Sequence, residues 1–230
     1  QIAQMGMGDA EITSQATIDS YKLTIKPNGG VYEGSENDLV IEQTYGSTYT
    51  VANPTRVGYT FMGWLVETEA NANRLAEGVY TFGVGVNTTG VGDDTIIAQW
   101  KVNRYKVVLD LNDKKANNGT TKAVTTIGIE VDGAIEMYVT YDTNYDAMYM
   151  QEEGGEPVAI GDFTEDVITR NGYKFVGFYT ERNLLVSNEN KGTQITNATH
   201  FLTANHDTVL YAKWEYKLVN YTVEHYQANI

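Results

Sequence analysis

Apolar and polar positions alternate from Tyr21 to Lys26. Tyr21, Leu23 and Ile25 fall on one side, and Lys22, Thr24 and Lys26 on the other. A period of two predicts a strand with one buried face. Pro27-Asn28-Gly29-Gly30 then breaks the pattern with residues suited to positive φ. Residues 31–34 and 39–43 are further predicted strands, and residues 44–51 lead into a predicted loop at Asn53-Pro54. Next comes Gly58-Tyr59-Thr60-Phe61-Met62-Gly63-Trp64, whose apolar bulk is Tyr59, Phe61 and Trp64. Its two glycines permit tight backbone geometry. Residues 67–77 are rich in helix formers and predict a short helix or a long loop. Strands are predicted near 79–86 and 95–101.

This pattern occurs twice. The heptapeptide recurs as Gly172-Tyr173-Lys174-Phe175-Val176-Gly177-Phe178, 114 residues later (172 − 58). Each copy is followed by a closing strand, Ile96-Ile97-Ala98-Gln99-Trp100 or Val209-Leu210-Tyr211-Ala212-Lys213-Trp214. Trp100 lies 42 residues after Gly58, and Trp214 lies 42 after Gly172 (100 − 58, 214 − 172). Two matched blocks at one spacing mark a duplicated module. The opening strand also recurs, as Tyr105-Lys106-Val107-Val108-Leu109.

The second module is longer in its first half. Its opening strand precedes the heptapeptide by 67 residues (172 − 105), against 37 in the first module (58 − 21). Matching Thr44-Tyr45 to Thr140-Tyr141 divides the difference into 12 residues before and 18 after. Residues 134–141 and 145–150, around Asp142-Thr143-Asn144, are read as part of this extra material, forming an additional or extended β-hairpin. The expected organisation is a leader or end of a preceding unit (1–20) and module one (21–102). Module two (103–215) follows, with its insertion at about 126–163, and 216–230 opens a third unit. That last stretch, from Tyr216-Lys217-Leu218-Val219, again starts with Tyr-Lys and alternates.

The opening strand with Asn28-Gly29-Gly30 carries a family resemblance, as do Pro54-Thr55-Arg56-Val57 with the first heptapeptide, and Ile97-Ala98-Gln99-Trp100. With their second-module counterparts they are similar to the Listeria–Bacteroides repeat family, the B-repeat type of module in internalin-like surface proteins. Module two departs by lacking Asn-Gly-Gly, by Phe178 in place of Trp, and by the insertion. The resemblance covers about 80 % of the chain. It implies a mostly β or α+β fold of two tandem β-grasp-like modules, on an extracellular bacterial, Gram-positive cell-wall or cell-surface protein. The implied role is stalk, spacer or adhesion unit, with no catalytic residues to carry over.

Charge narrows the partners. The formal net charge is −14 over 230 residues. That argues against nucleic acid and against docking on anionic lipid, both of which require a basic face. No apolar run reaches the ~20 residues that span a bilayer. There is no cysteine, so no disulfide and no thiolate metal site.

Candidate chemistry is sparse. No Gly-x-Ser-x-Gly occurs, and His200, His206 and His225 read as surface histidines, so no enzyme activity is expected. Asp110-x-Asn112 and Asn188-x-Asn190-x-Gly192 look like calcium-loop fragments, but Thr121 and Thr199 stand where the bidentate Glu belongs. They read as turns, and no metal or cofactor is expected. Three Asn-x-Thr triplets, at Asn87, Asn118 and Asn197, carry little meaning in a bacterial protein. Lys22 or Lys106 could serve an isopeptide staple, without a signature to support it. The recurring Tyr59, Phe61, Trp64, Trp100, Tyr173, Phe175 and Trp214 read as core.

The insertion is not shared. From Asp142 to Thr169 there are eight acidic residues and no Lys or Arg, beside Tyr138, Tyr141, Tyr145, Met148, Tyr149 and Met150. Specific binding is often placed on such an addition to a scaffold. Tyr138, Tyr141, Tyr145, Tyr149, Glu152 and Glu153 are therefore the candidate binding residues, for a glycan or a host cell-surface protein. Neighbouring repeats of the same chain are the other expected partners.

Overall fold

The computed structural model describes residues 17–67, 78–84, 92–112, 122–124, 130–131, 133–182 and 192–225. The chain divides into two compact units. Gln1–Arg56 with Phe61–Trp100 forms one, and Val57–Thr60 with Lys101–Ile230 forms the other.

The first unit contains β1 (Ser20–Lys26), β2 (Leu39–Thr44), β3 (Thr48–Thr50), β4 (Tyr59–Val66), β5 (Val79–Thr81) and β6 (Asp94–Val102). The main sheet has the order β2-β1-β6-β4. β1 and β6 run parallel at its centre, with Leu23 opposite Asp94 and Ile25 opposite Ile96. Parallel neighbours cannot be joined by a hairpin, so the chain between them must cross over. The alternation expected for β1 is what the fold uses: Leu23 and Ile25 are fully buried with Ile96 and Ala98. Residues 31–34 form no strand. Tyr32 bridges to Ser35 through a turn in which Glu33 and Gly34 both take positive φ.

The second unit repeats the plan and adds to it. Its strands are β7 (Arg104–Asp110), β8 (Lys122–Val124), β9 (Glu130–Val131), β10 (Ala134–Thr140), β11 (Thr143–Asn144) and β12 (Met148–Tyr149). Then come β13 (Ile168–Thr169), β14 (Tyr173–Tyr179), β15 (Gln194–Ile195), β16 (His200–Phe201) and β17 (Thr208–Tyr216). The main sheet has the order β12-β10-β7-β17-β14-β15. β7 and β17 are parallel, with Val107 opposite Thr208 and Leu109 opposite Leu210. Residue by residue, that is the register of β1 on β6.

The same comparison corrects one expectation. β10 pairs with β7, Thr140 opposite Arg104, as β2 pairs with β1, Thr44 opposite Ser20. The match of Thr44 to Thr140 therefore gives the true correspondence. Residues 134–140 are the counterpart of β2, not added material. A hairpin does form, with Met148 opposite Val139 and Tyr149 opposite Tyr138, but only its second strand is new to the sheet. Tyr216 closes β17 opposite Tyr173, and the stretch from Lys217 to His225 forms no strand, with Leu218 95 % exposed. Most of the 1–20 leader and the helix or loop expected at 67–77 lie outside the described residues, as do Asn87, Asn118 and part of the 126–163 insertion.

The heptapeptides explain themselves geometrically. Gly58 and Gly63 have φ of 79° and 111°, and Gly172 and Gly177 have 79° and 146°. The first of each pair turns the chain into the strand. In the second unit Gly177 sits at a break in regular pairing, where the register on β17 shifts between Phe175 and Gly177. In each unit the aromatics then meet edge to face. Phe61 lies 5.4 Å from Trp64 and 5.5 Å from Trp100, and Phe175 lies 5.2 Å from Phe178 and 5.5 Å from Trp214. Trp64, Phe175 and Trp214 are buried, while Phe61 and Trp100 are half-buried.

Candidate functional site

A polar clamp is the feature most closely duplicated. In the first unit the Asn28 amide donates to the Ala98 carbonyl at 2.9 Å, and the Trp100 indole donates to the Pro27 carbonyl at 3.1 Å. In the second, the Asn112 amide donates to the Ala212 carbonyl at 3.2 Å, and the Trp214 indole donates to the Leu111 carbonyl at 2.8 Å. Asn28 and Asn112 share a left-handed backbone, φ 52° and 54°. Asn tolerates that conformation better than most side chains do. The clamp ties the end of the opening strand to the closing strand. Asn112 is thus the second unit's version of the Asn-Gly-Gly turn, kept in its asparagine while the glycines after it are not repeated.

That assignment also accounts for the calcium-like fragment. The Asp110 carboxylate accepts the Asn112 backbone N–H at 2.7 Å and pairs with Arg182 at 2.5 Å. One oxygen holds the turn and the other holds Arg182. Asn190 and Asn188 lie outside the described residues. Lys22 and Lys106 face carboxylates, Glu42 at 3.9 Å and Glu136 at 3.1 Å. The hydrogen bond to Glu136 holds the Lys106 ammonium above its ordinary pKa.

The six residues expected to bind do not form one site. Tyr145 is 4 % exposed and meets Phe201 edge to face at 5.6 Å. Burial pushes its hydroxyl pKa up to about 12. Tyr141 is half-buried with its ring 6.3 Å from Tyr105. Tyr138 and Tyr149 do come together, as a cross-strand pair. Since Met137, Val139 and Met148 fill the core, these two rings occupy the outward face. Arg104 lies 4.2 Å over the Tyr149 ring and donates to the Glu152 carbonyl at 2.9 Å and to Thr140 Oγ1 at 3.2 Å. The Glu152 and Glu153 side chains are exposed.

The histidines are exposed. His200 lies on β16, with Nε2 3.2 Å from the Asp142 carboxylate. Among the described residues no three His, Cys, Asp or Glu side chains group to hold a metal.

The extension builds something else. Tyr145, Met148, Ile160, Phe163 and Ile168 all enter the second core. Ile160 N–H donates to the Tyr145 carbonyl, and Met148 and Val158 exchange backbone bonds. So the acidic run is the solvated side of a folded segment, whose apolar side is internal. Its 3-10 turn, Ile160–Asp162, forms one wall of a cavity of about 570 Å³. β14 and residues 194–198 form the other walls, with Phe163, Phe175 and Phe178 beneath. Ligand cavities are commonly about 300–1,000 Å³. Asn197 braces the turn by accepting the Gly161 N–H at 2.7 Å. Sequence reasoning missed this groove. Its walls are far apart in the chain, and the one legible signal was the unshared extension itself.

Comparison with known proteins supports the duplicated plan. The chain is 26 % identical over 198 residues to a protein of Evansella cellulosilytica provisionally named a membrane protein. It is 26 % identical over 182 residues to another from that organism, provisionally named a Gly-rich membrane protein. These alignments take in 86 % and 78 % of this chain but only 22 % and 17 % of the relatives, so the chain spans about a fifth of their length. Among the described residues no helix is long and apolar enough to cross a membrane. The family profile of the Listeria-Bacteroides repeat domain matches residues 21–90 and 137–213, its second match starting inside β10. Matched twice over most of its length, this chain belongs to the Listeria–Bacteroides repeat family of bacterial surface proteins.

Proposed function

We propose that this chain is a non-catalytic, extracellular repeat region of a Gram-positive surface protein, acting as stalk or spacer and as an adhesion module. The duplicated clamp carries the reading. The positions the two units share most closely, Asn28 and Asn112 with Trp100 and Trp214, are consumed in holding strands together. Selection for a repeated frame accounts for such positions without any shared chemistry. Two tests apply. Protease shaving of intact cells that carry the parent protein is expected to release peptides from this chain. Finding them only after lysis contradicts the placement. A panel of glycosides and peptides is expected to show no turnover, and a reproducible signal contradicts the non-catalytic reading.

A second reading makes the second unit a binding module for a glycan or a host protein. The outward Tyr138–Tyr149 pair with Arg104 favours it. Glycan-array and epithelial-lysate binding by the intact chain, reduced by Tyr138→Ser, is the expected result. Equal binding by the variant removes this pair from consideration.

A further inference from the structure

We propose that the groove beside β14 binds an extended peptide segment of a partner protein, apolar and basic in alternation, by adding it as a strand. This is independent of both the spacer reading and the Tyr138–Tyr149 reading, since it uses the opposite edge of the sheet.

The backbone edge comes first. β14 is paired along its length by β17, but β15 pairs only with Phe178 and Tyr179. Lys174 to Gly177 therefore have no strand on that side among the described residues. A side chain partly fills the place: the Gln194 amide donates to the Val176 carbonyl at 3.3 Å, where a partner strand would present its N–H. Gly177 makes room for it, since a Cβ there would come within 2.6 Å of that amide nitrogen. An extended segment continuing the line of β15 would replace one long side-chain bond with a ladder, the usual mode of strand addition.

The groove chemistry selects the class of occupant. A sugar-binding platform needs an aromatic face open to the ligand. Phe163, Phe175 and Phe178 are only 5 %, 7 % and 1 % exposed, so they offer a floor for alternate small apolar side chains, not a stacking surface. Charge sets the rest. Glu165 is exposed on the turn wall, in a chain of net charge −14. Lys174 is the one cation among the residues that line the groove. A basic residue on the peptide, on the turn side, complements that wall.

The test uses the full chain. The probe is a fluorescein-labelled peptide of alternating valine with threonine and lysine. A second peptide carries the same side chains with every other backbone nitrogen methylated. Anisotropy is expected to show saturable binding of the first, and about tenfold or greater weakening for the second. Amide shifts should centre on Lys174, Val176 and Thr196. Glu165→Lys should weaken binding about tenfold, and Thr164→Trp, an exposed wall position, should abolish it while circular dichroism stays unchanged. The proposal is overturned by equal affinity for the methylated peptide or by shifts centred on the β12 edge. It is equally overturned by the absence of saturation up to about 1 mM.

Discussion

β2 and β10 hold the same place in their two units, yet β2 is an edge strand and β10 is not. The inward residues of β2, Leu39 and Ile41, are only half-buried. β12 pairs with β10 at Tyr138 and Val139, and the inward residues Ile135, Met137 and Val139 are 0–1 % exposed. The first unit buries a cluster around Leu23, Ile25, Trp64 and Ile96, and the second adds Tyr145, Met148, Ile160, Phe163 and Ile168 to the equivalent set. The lesson is that a repeat frame of two central parallel strands and one clamp is sufficient. An extension can then be grown onto it by supplying its own apolar residues, leaving the frame's register untouched.

The largest effect is expected at the clamp tryptophans. Trp214→Ala removes a buried ring and leaves the Leu111 carbonyl unpaired, at a cost of about 3–5 kcal/mol. Trp100→Ala, at a half-buried ring, should cost about 2 kcal/mol. Denaturant melts of both variants check the ranking, and equal losses would mean that the two clamps are not the same device at different burial.

The asparagines should follow. Asn112→Ala loses the side-chain hydrogen bonds to the Ala212 carbonyl and from Arg182 and strains a left-handed residue, about 2–3 kcal/mol together. Asn28→Ala, at a more exposed turn, should cost about 1–2 kcal/mol. Asn112→Gly keeps the backbone conformation and so separates its strain from the loss of these side-chain hydrogen bonds, and roughly half the loss should return. A smaller effect is expected where the units differ in kind. The Trp64 indole N–H is buried without a partner among the described residues, and Phe178 occupies that position in the second unit. Trp64→Phe should therefore cost no more than about 1 kcal/mol, whereas Phe178→Trp overpacks a full site and should cost about 1–3 kcal/mol.

The alkaline limb gives the finest distinction. Tyr145 has a folded pKa raised to about 12 by burial, above the ordinary 10.0. Above pH 10 the unfolded chain loses that proton first, so its contribution is intact below pH 10 and lost as pH rises towards 12. Burial, then the hydrogen bond to Asp94, raises Tyr80 in the first unit in the same direction. Tyrosinate absorbance should show a late-titrating group that Tyr145→Phe removes.

Much of this frame was legible in the sequence. Alternation at Tyr21–Lys26 reports one buried face, and the fixed spacing of Gly58 and Trp100 reports a shared scaffold. What was not legible depended on long-range pairing. Residues 134–140 alternate as any half-buried strand does, so only their partner, β7, identifies them as a repeat element. The eight carboxylates after Tyr141 hid a core segment, because the exposed side of a folded loop and a solvated tail have the same composition. Asn112 was missed because its clamp partner lies 100 residues away.

Amide hydrogen exchange on the intact chain separates a folded layer from a solvated loop. If the extension is an integral layer of the second unit, the amides of Met148, Val158, Ile160 and Ile168 should be protected as strongly as those of Val107 and Leu210. Exchange of those four at the rate of open chain, with β7 and β17 still protected, would contradict it.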